Sequence, residues 1–405
     1  MQRLALVRPL EDDWREAIDA VARSRSWPTT RDVARLAARV VELSAAYNDP
    51  ARARASIKDA GAARLGFSFA RDVPKGAAAV RELVATRTLR LERSLRVLDV
   101  GAGLGATTWG LVRALAASGE RGTVEATWVD SDAEALSLAT ALLRAREGRQ
   151  DGIDVRVQTR IGTHGVAAGL GRFDIVLLGQ VLSELDPAAS DEVRVDRHVA
   201  LLRSLLEERT EDGGSVVVIE PALRTRTRHL HRVRDALASA GTTIFAPCLH
   251  AQPCPALARD SDWCHEDLAV DLPDWLSPIA LAAGLRREGL TFSYLVLHRG
   301  VSRLADYVPA DAGGARLRMV SDAMASKGKR EAFVCGELHG RMGLVAARAR
   351  LMRLNRDSTP DNDAWERAKR GDVLVVTPSP ELERPRVDVG TSVSLPQLTT
   401  SRPLR

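Results

Sequence analysis

Over the first ninety residues apolar side chains recur at three- and four-residue spacing. "REAIDAVARS" and "TRDVARLAARVVELSAAY" each lay an apolar stripe along one side of a helix. The rhythm changes near Ser94. From there short β-branched runs alternate with Ala- and Leu-rich helical stretches, the pattern of parallel strands joined by crossover helices. It predicts strands at Leu95–Val100, Thr123–Asp130, Ile153–Thr159, Phe173–Gly179 and Ser215–Glu220, then Thr242–Ala246 and Phe292–Leu297. Seven strands with helices between the first five predict an α/β fold and look like a Rossmann-like class I methyltransferase domain, whose last two strands usually form an antiparallel edge.

Beyond residue 300 the pattern is mixed, with strands expected at Arg316–Val320, Ala332–Cys335 and Val373–Val376. The chain thus divides into an N-terminal helical region (1–90) and the α/β domain (91–300), which carries a Cys-rich insert (247–290). A small β-containing extension (301–377) and a tail (378–405) follow. The insert shows no periodicity and reads as a long loop. The tail is rich in Pro, Ser and Thr and reads as disordered.

Composition changes this picture little. Apolar residues make up 45% and charged residues 27% of the 405, as in ordinary globular chains. No apolar run approaches the ~18 residues of a membrane span. The N-terminus lacks a signal peptide's apolar stretch, and Glu11, Asp12, Asp13 and Glu16 are unlike a transit peptide. A cytoplasmic protein is expected. Fifty-eight basic residues against 53 acidic ones leave a net charge of +5, so the location of the charges must decide their role.

The first chemistry lies in "LRVLDVGAGLGATTWGLVRAL", a strand, a turn with Gly101, Gly103 and Gly105, and a helix. Such a turn brings backbone close to a ligand, and the helix N-terminus offers free N–H groups. It also serves dinucleotides and plain packing. Three details favour S-adenosylmethionine: Asp99 just before the first glycine, Asp130 at the end of the second strand to receive the ribose hydroxyls, and Gln180 at the edge of the fourth. The alternative is a retained fold with an empty pocket.

Three of four cysteines, Cys248, Cys254 and Cys264, fall within the insert, and Cys335 follows seventy residues later. The C-x2-4-C knuckles of structural zinc are absent. Four thiolates are the complement of a 4Fe–4S cluster. A mixed zinc site with His250, His265 and His339, or four unrelated buried thiols, are the alternatives.

At this point the residues resemble a family. "FAPCLHAQPCP" after the sixth strand, "WC" about ten residues on, and a late cysteine followed by "RAKRGD" look like the mitochondrial small-ribosomal-subunit methyltransferase-like assembly proteins and their bacterial relatives. The resemblance spans roughly Val80 to Val376. It implies a 4Fe–4S cluster on Cys248, Cys254, Cys264 and Cys335, and action on small-subunit ribosomal RNA or the assembling small subunit, with no DNA and no membrane. The chain departs from the family at Pro247-Cys248-Leu249-His250, where "PCPH" is usual, and at Ala222, where a glycine follows Glu220-Pro221.

"RTRTRHLHRVR" places Arg224, Arg228 and Arg232 on one stripe of a helix, either an RNA-binding face or a solvated one. Lys327, Lys329 and Arg330 form a second basic group before Cys335. After the fourth strand the Asn/Asp-Pro-Pro-aromatic motif of amine methylation is replaced by Gly179-Gln180-Val181-Leu182. Glu184 lies near that edge, but no catalytic base stands out. Three readings remain: an iron–sulfur RNA methyltransferase, a non-catalytic assembly factor using the fold as an RNA platform, and a zinc-stabilised small-molecule methyltransferase.

Overall fold

The computed structural model describes residues 6–48, 60–92, 94–310 and 313–396. Helices α1 (Asp12–Ser24), α2 (Val33–Asn48) and α3 (Phe69–Ala85) precede the first sheet. That sheet is built from β1 (Ser94–Val100), β2 (Gly122–Asp130), β3 (Ile153–Ile161), β4 (Phe173–Gly179), β5 (Thr210–Glu220), β6 (Thr243–Ala246), β7 (Glu266–Asp271) and β8 (Glu288–His298). Between its strands run α4 (Ala106–Ala117), α5 (Ala133–Ala145), α6 (Asp191–Ser204) and α7 (Arg224–Ser239).

The strands lie in the order β3-β2-β1-β4-β5-β8-β6, with β7 paired to the far half of β8. β1 to β5 are mutually parallel, and β8 is antiparallel to both its neighbours. This is the Rossmann-like class I methyltransferase sheet. Strand alternation divides its side chains between two cores. Val97, Ile175 and Leu177 face α3 and α4, while Leu98, Val176 and Leu178 face α6 and α7. On the first face α3 and α4 touch backbone to backbone: a Cβ on Gly110 would lie 2.4 Å from the Val73 carbonyl oxygen.

The second sheet contains β9 (Ala315–Met319), β10 (Lys329–Gly340), β11 (Gly343–Leu354), β12 (Val373–Thr377), β13 (Arg386–Val387) and β14 (Ser392–Ser394). Their order is β13-β11-β10-β9-β12-β14, over a core that includes Leu317, Leu338, Leu351, Trp365 and Leu374. β10 and β11 form a long hairpin paired from Lys329 with Leu354 to Gly340 with Gly343.

Two expectations are corrected. The insert is not a bare loop, because β7 and a short helix, Ser277–Ala282, bury Leu268, Val270, Leu276 and Ile279 against the first core. The tail is ordered through residue 396, since β13 and β14 extend the second sheet and bury Val387 and Val393; 397–405 lie outside the described residues. Among the described residues no helix is long and apolar enough to cross a membrane.

A buried ionic group joins the parts. Glu82 of α3 receives Arg318 of β9 at 3.2 Å, Arg81 at 3.2 Å and the Tyr294 hydroxyl of β8 at 3.2 Å. Arg81 also bonds Glu266 at the start of β7. All five side chains are buried.

Candidate functional site

At the C-terminal edge of β1 the chain turns through Gly101, Gly103 and Gly105, with φ of +68°, +52° and +77°. A Cβ at Gly101 would lie 2.5 Å from Val181, and one at Gly105 2.6 Å from the Trp128 ring. Glycine is therefore demanded twice over at these two positions. Asp130, ending β2, braces the turn: one carboxylate oxygen accepts the Gly103 N–H at 2.7 Å, the other the Asp132 N–H at 2.9 Å. Each oxygen keeps a lone pair for a further donor.

The turn, Asp130 and Gln180 line one cavity of about 730 Å³, which sits in the usual size range of ligand pockets. Gln180 holds a left-handed φ of +63°, with its N–H donated to the Ile219 carbonyl at 2.7 Å. Asp99 is corrected. It is buried behind the turn, where its carboxylate accepts the Thr108 N–H at 3.2 Å and hydroxyl at 2.6 Å, and it does not line the cavity. Burial pushes its carboxyl up to about 7. Its work is to fasten the first turn of α4 to β1.

Behind the 180–185 segment, buried Glu220 accepts the N–H groups of Leu182 at 2.8 Å and Ser183 at 3.2 Å, and burial pushes this carboxyl up to about 7. Glu184 and Ala222 face the cavity. Sequence reasoning missed the roof: Val40, Leu43, Arg64, Phe67 and Arg71, from the N-terminal helices, complete the cavity.

All four cysteines line a second, smaller cavity of about 70 Å³. Cys248 and Cys254 follow β6, Cys264 precedes β7, and Cys335 lies on β10. Helix α7 holds the connecting loop. Arg228 donates to the carbonyls of Ala256, Arg259 and Asp262 at 3.0, 2.7 and 2.7 Å. Arg234 donates to those of His250 and Gln252 at 2.5 and 2.6 Å, and Asp235 accepts the Cys254 N–H at 2.9 Å. From the second sheet Arg348 reaches the Asp262 carboxylate at 3.0 Å.

Burial, reinforced by Cys248, pushes the Cys264 thiol up to about 11, and burial likewise raises Cys254 and Cys335. Cys254, Cys264 and Cys335 therefore keep their protons at neutral pH unless a metal displaces them. His250 lies 3.7 Å from the Cys335 sulfur, and His231 and His265 also line the cavity; His339 is exposed elsewhere on β10 and leaves the expected mixed set. Among the described residues no group of three or more His, Cys, Asp and Glu side chains is arranged to hold a single metal ion.

The arginine stripe is partly corrected. Arg224, Arg228 and Arg232 line a groove of about 530 Å³ between α6 and α7, together with Arg194 and Arg226. Arg228, however, is consumed by three carbonyls and Asp260. Arg232 is exposed but meets Asp191 at 3.1 Å, while exposed Arg224 meets no carboxylate among the described residues. In the other basic group Lys329 pairs with Glu331 at 3.1 Å, and Arg330 donates to the Trp365 and Ala368 carbonyls, both at 3.3 Å. Those two belong to the second sheet's framework. Beneath the groove His198 and His229 share a buried hydrogen bond of 2.8 Å, and burial lowers both to about 4.

Among solved structures the chain is similar to a putative class I S-adenosylmethionine-dependent methyltransferase from Listeria monocytogenes, at 12% identity over 72% of this chain and 89% of that one, with a TM-score of 0.35. It is similar to an rRNA methylase from Streptococcus thermophilus, at 11% identity over 54% and 92%, with a TM-score of 0.27. A precorrin-6y C5,15-methyltransferase from Geobacter metallireducens matches at 14% identity over 54% and 87%, with a TM-score of 0.30. The sheet order, not these distant likenesses, carries the fold assignment. No curated protein matches the chain. Residues 77–370, most of its length, match the family described as mitochondrial small ribosomal subunit Rsm22. With its methyltransferase sheet and its four cysteines around one cavity, the chain belongs to the Rsm22 family.

Proposed function

We propose that the chain binds S-adenosylmethionine at the β1 turn, holds a 4Fe–4S cluster on Cys248, Cys254, Cys264 and Cys335, and acts on small-subunit ribosomal RNA where small ribosomal subunits are built. One observation carries the reading furthest: every cysteine of the chain lines one small cavity beside a methyltransferase sheet. That donor set fits the four thiolates of a cubane cluster. The space holds several water-sized groups, at about 10–15 Å³ each, and Arg234 and Arg318, each paired with a carboxylate, line it together with Glu266 and Arg348.

Bound S-adenosylmethionine supplies an electrophilic methyl group. The chain's own residues orient it: Asp130 accepts ribose hydroxyls with its remaining lone pairs, and the glycine turn admits the amino-acid end. Gln180 and Glu184 border the space left for a substrate. The arginine groove lies across the segments 180–185 and 220–224 from this cavity, and Arg224 and Arg232 would take RNA phosphates there.

A platform without turnover is the second reading, favoured by the Gly179-Gln180-Val181-Leu182 edge, which carries no catalytic acid or base. Titration calorimetry with S-adenosylmethionine, then methyl incorporation into naked small-subunit RNA, separates the two. Absence of cofactor binding by folded protein removes the methyltransferase reading; binding without incorporation favours the platform. For the groove, replacing Arg224 and Arg232 together with Gln should reduce the log–log salt slope of RNA binding by about 0.7 per lost contact with single-stranded RNA. An unchanged slope returns the groove to solvent.

A further inference from the structure

Three arginine or lysine side chains line the large cavity, and two of them are answered. Arg64 lies 3.0 Å from the Asp132 carboxylate, and Lys75 lies 2.8 Å from that of Asp72. Arg71 has no such partner. No carboxylate among the described residues pairs with it, and its Nε is buried without a hydrogen-bond acceptor. Burial lowers its pKa; the neighbouring Asp72 carboxylate, already held by Lys75 at 2.8 Å, opposes that shift, and Arg286 adds to it. A half-buried guanidinium whose nearest carboxylate is shared with another cation is incompletely compensated. Facing a cavity, it marks where an anion belongs.

Its position says which anion. Arg71 sits in the first turn of α3, entered directly from a π-helical turn, Arg64–Ser68, a distortion that often accompanies functional sites. Phe67 of that turn lies under the guanidinium, 5.3 Å from ring centroid to its central carbon, and stacks it in place. The next turns of α3 are locked onto α4: a Cβ on Gly76 would meet Thr107 at 3.0 Å, as Gly110 meets Val73. Helix α4 begins immediately after Gly105, and the first turn of α3 and the glycine turn line the same cavity.

We propose that Arg71 binds the carboxylate of the methionine moiety of S-adenosylmethionine. The assignment rests on the reading that this cofactor occupies the cavity. The planar fork of arginine matches a carboxylate with two parallel hydrogen bonds. Asp130 stands at the other end, on the ribose. Arg71 also lies outside the family match, which begins at residue 77, so the helical region ahead of the sheet contributes a binding residue of its own.

The test is a cycle of two proteins and two ligands, read by titration calorimetry: wild type and Arg71→Met, with S-adenosylmethionine and its decarboxylated analogue. Wild type should bind the analogue about 10- to 100-fold more weakly, the range for a hydrogen-bonded charge pair. Arg71→Met should lose that same factor for S-adenosylmethionine and nothing for the analogue. Arg71→Lys, which keeps the charge but not the fork, should fall between. Equal wild-type affinity for both ligands overturns the proposal whether or not the variant folds. So does an Arg71→Met protein that keeps full cofactor affinity, even if it loses affinity for RNA, or one that loses both ligands equally with an unchanged melting temperature. If wild type binds neither ligand, the cofactor reading itself falls and takes Arg71 with it.

Discussion

The two cavities are built in opposite ways. The larger is open, and its binding surface is mostly backbone: a glycine turn, a strand end, the start of a helix. Residues 100–107 and 130–132 form one side of it, and the 179–185 segment and the N-terminal helices form most of the rest. The smaller is narrow, and its four thiols come from three places: the loop after β6, the residues just before β7, and β10 of the second sheet. The glycine turn at the heart of the first is local in sequence. The thiols of the second meet only through tertiary contacts.

That contrast breaks most visibly at Cys335. Cys335→Ser should take iron in anaerobically purified protein from about four per chain to almost none, and should expose residues 247–290 to protease. Affinity for S-adenosylmethionine should stay within about twofold of wild type, since the sites share no ligand. A parallel fall in cofactor affinity, measured by calorimetry, would show that the cavities are one coupled unit.

The reverse experiment is smaller. Asp130→Ala removes the brace on Gly103 and the acceptor for the ribose, and should weaken cofactor binding by about 1.5–3 kcal/mol. Iron content should not move. An Asp130→Ala protein with wild-type cofactor affinity would take this residue out of the site.

The smallest effect belongs to a region outside both cavities. His198 and His229 are held near 4 when folded, against 6.5 when exposed. Unfolded chains therefore bind more protons below about 6.5. The pair's contribution is present above that pH and is lost as pH falls toward 4. Replacing both by Leu should shrink the drop in melting temperature between pH 7 and pH 5 by about a few degrees at most. A wild-type pH dependence in that variant would assign the acid sensitivity to other groups.

Most of the first sheet was legible because its β-branched runs are continuous, and the glycine turn because its chemistry is local. Asp99 was misassigned for a definite reason. Adjacency to Gly101 says nothing about direction, and on β1 the carboxylate points with Val97 into the α4 face rather than up into the cavity. Arg228 looked like a surface charge because a stripe cannot reveal that three carbonyls wait at its end. β11 escaped notice because "AARARLMR" is composed of helix formers; pairing with β10 and burial of Ala347, Ala349 and Leu351 override that preference. Arg71 could have been found only by asking which buried charge has no partner.

The buried ionic group has a consequence for any attempt to divide the molecule. Arg81 and Arg318 are balanced by Glu82 and Glu266, one positive charge in that neutral quartet coming from the second sheet. A chain shortened to its first three hundred residues would keep both carboxylates and lose one of the two cations. It would also open that face to water, leaving an excess carboxylate beside Tyr294 on a surface that the second sheet covers in the whole molecule. The charge balance of the α/β domain is thus completed by the part that follows it.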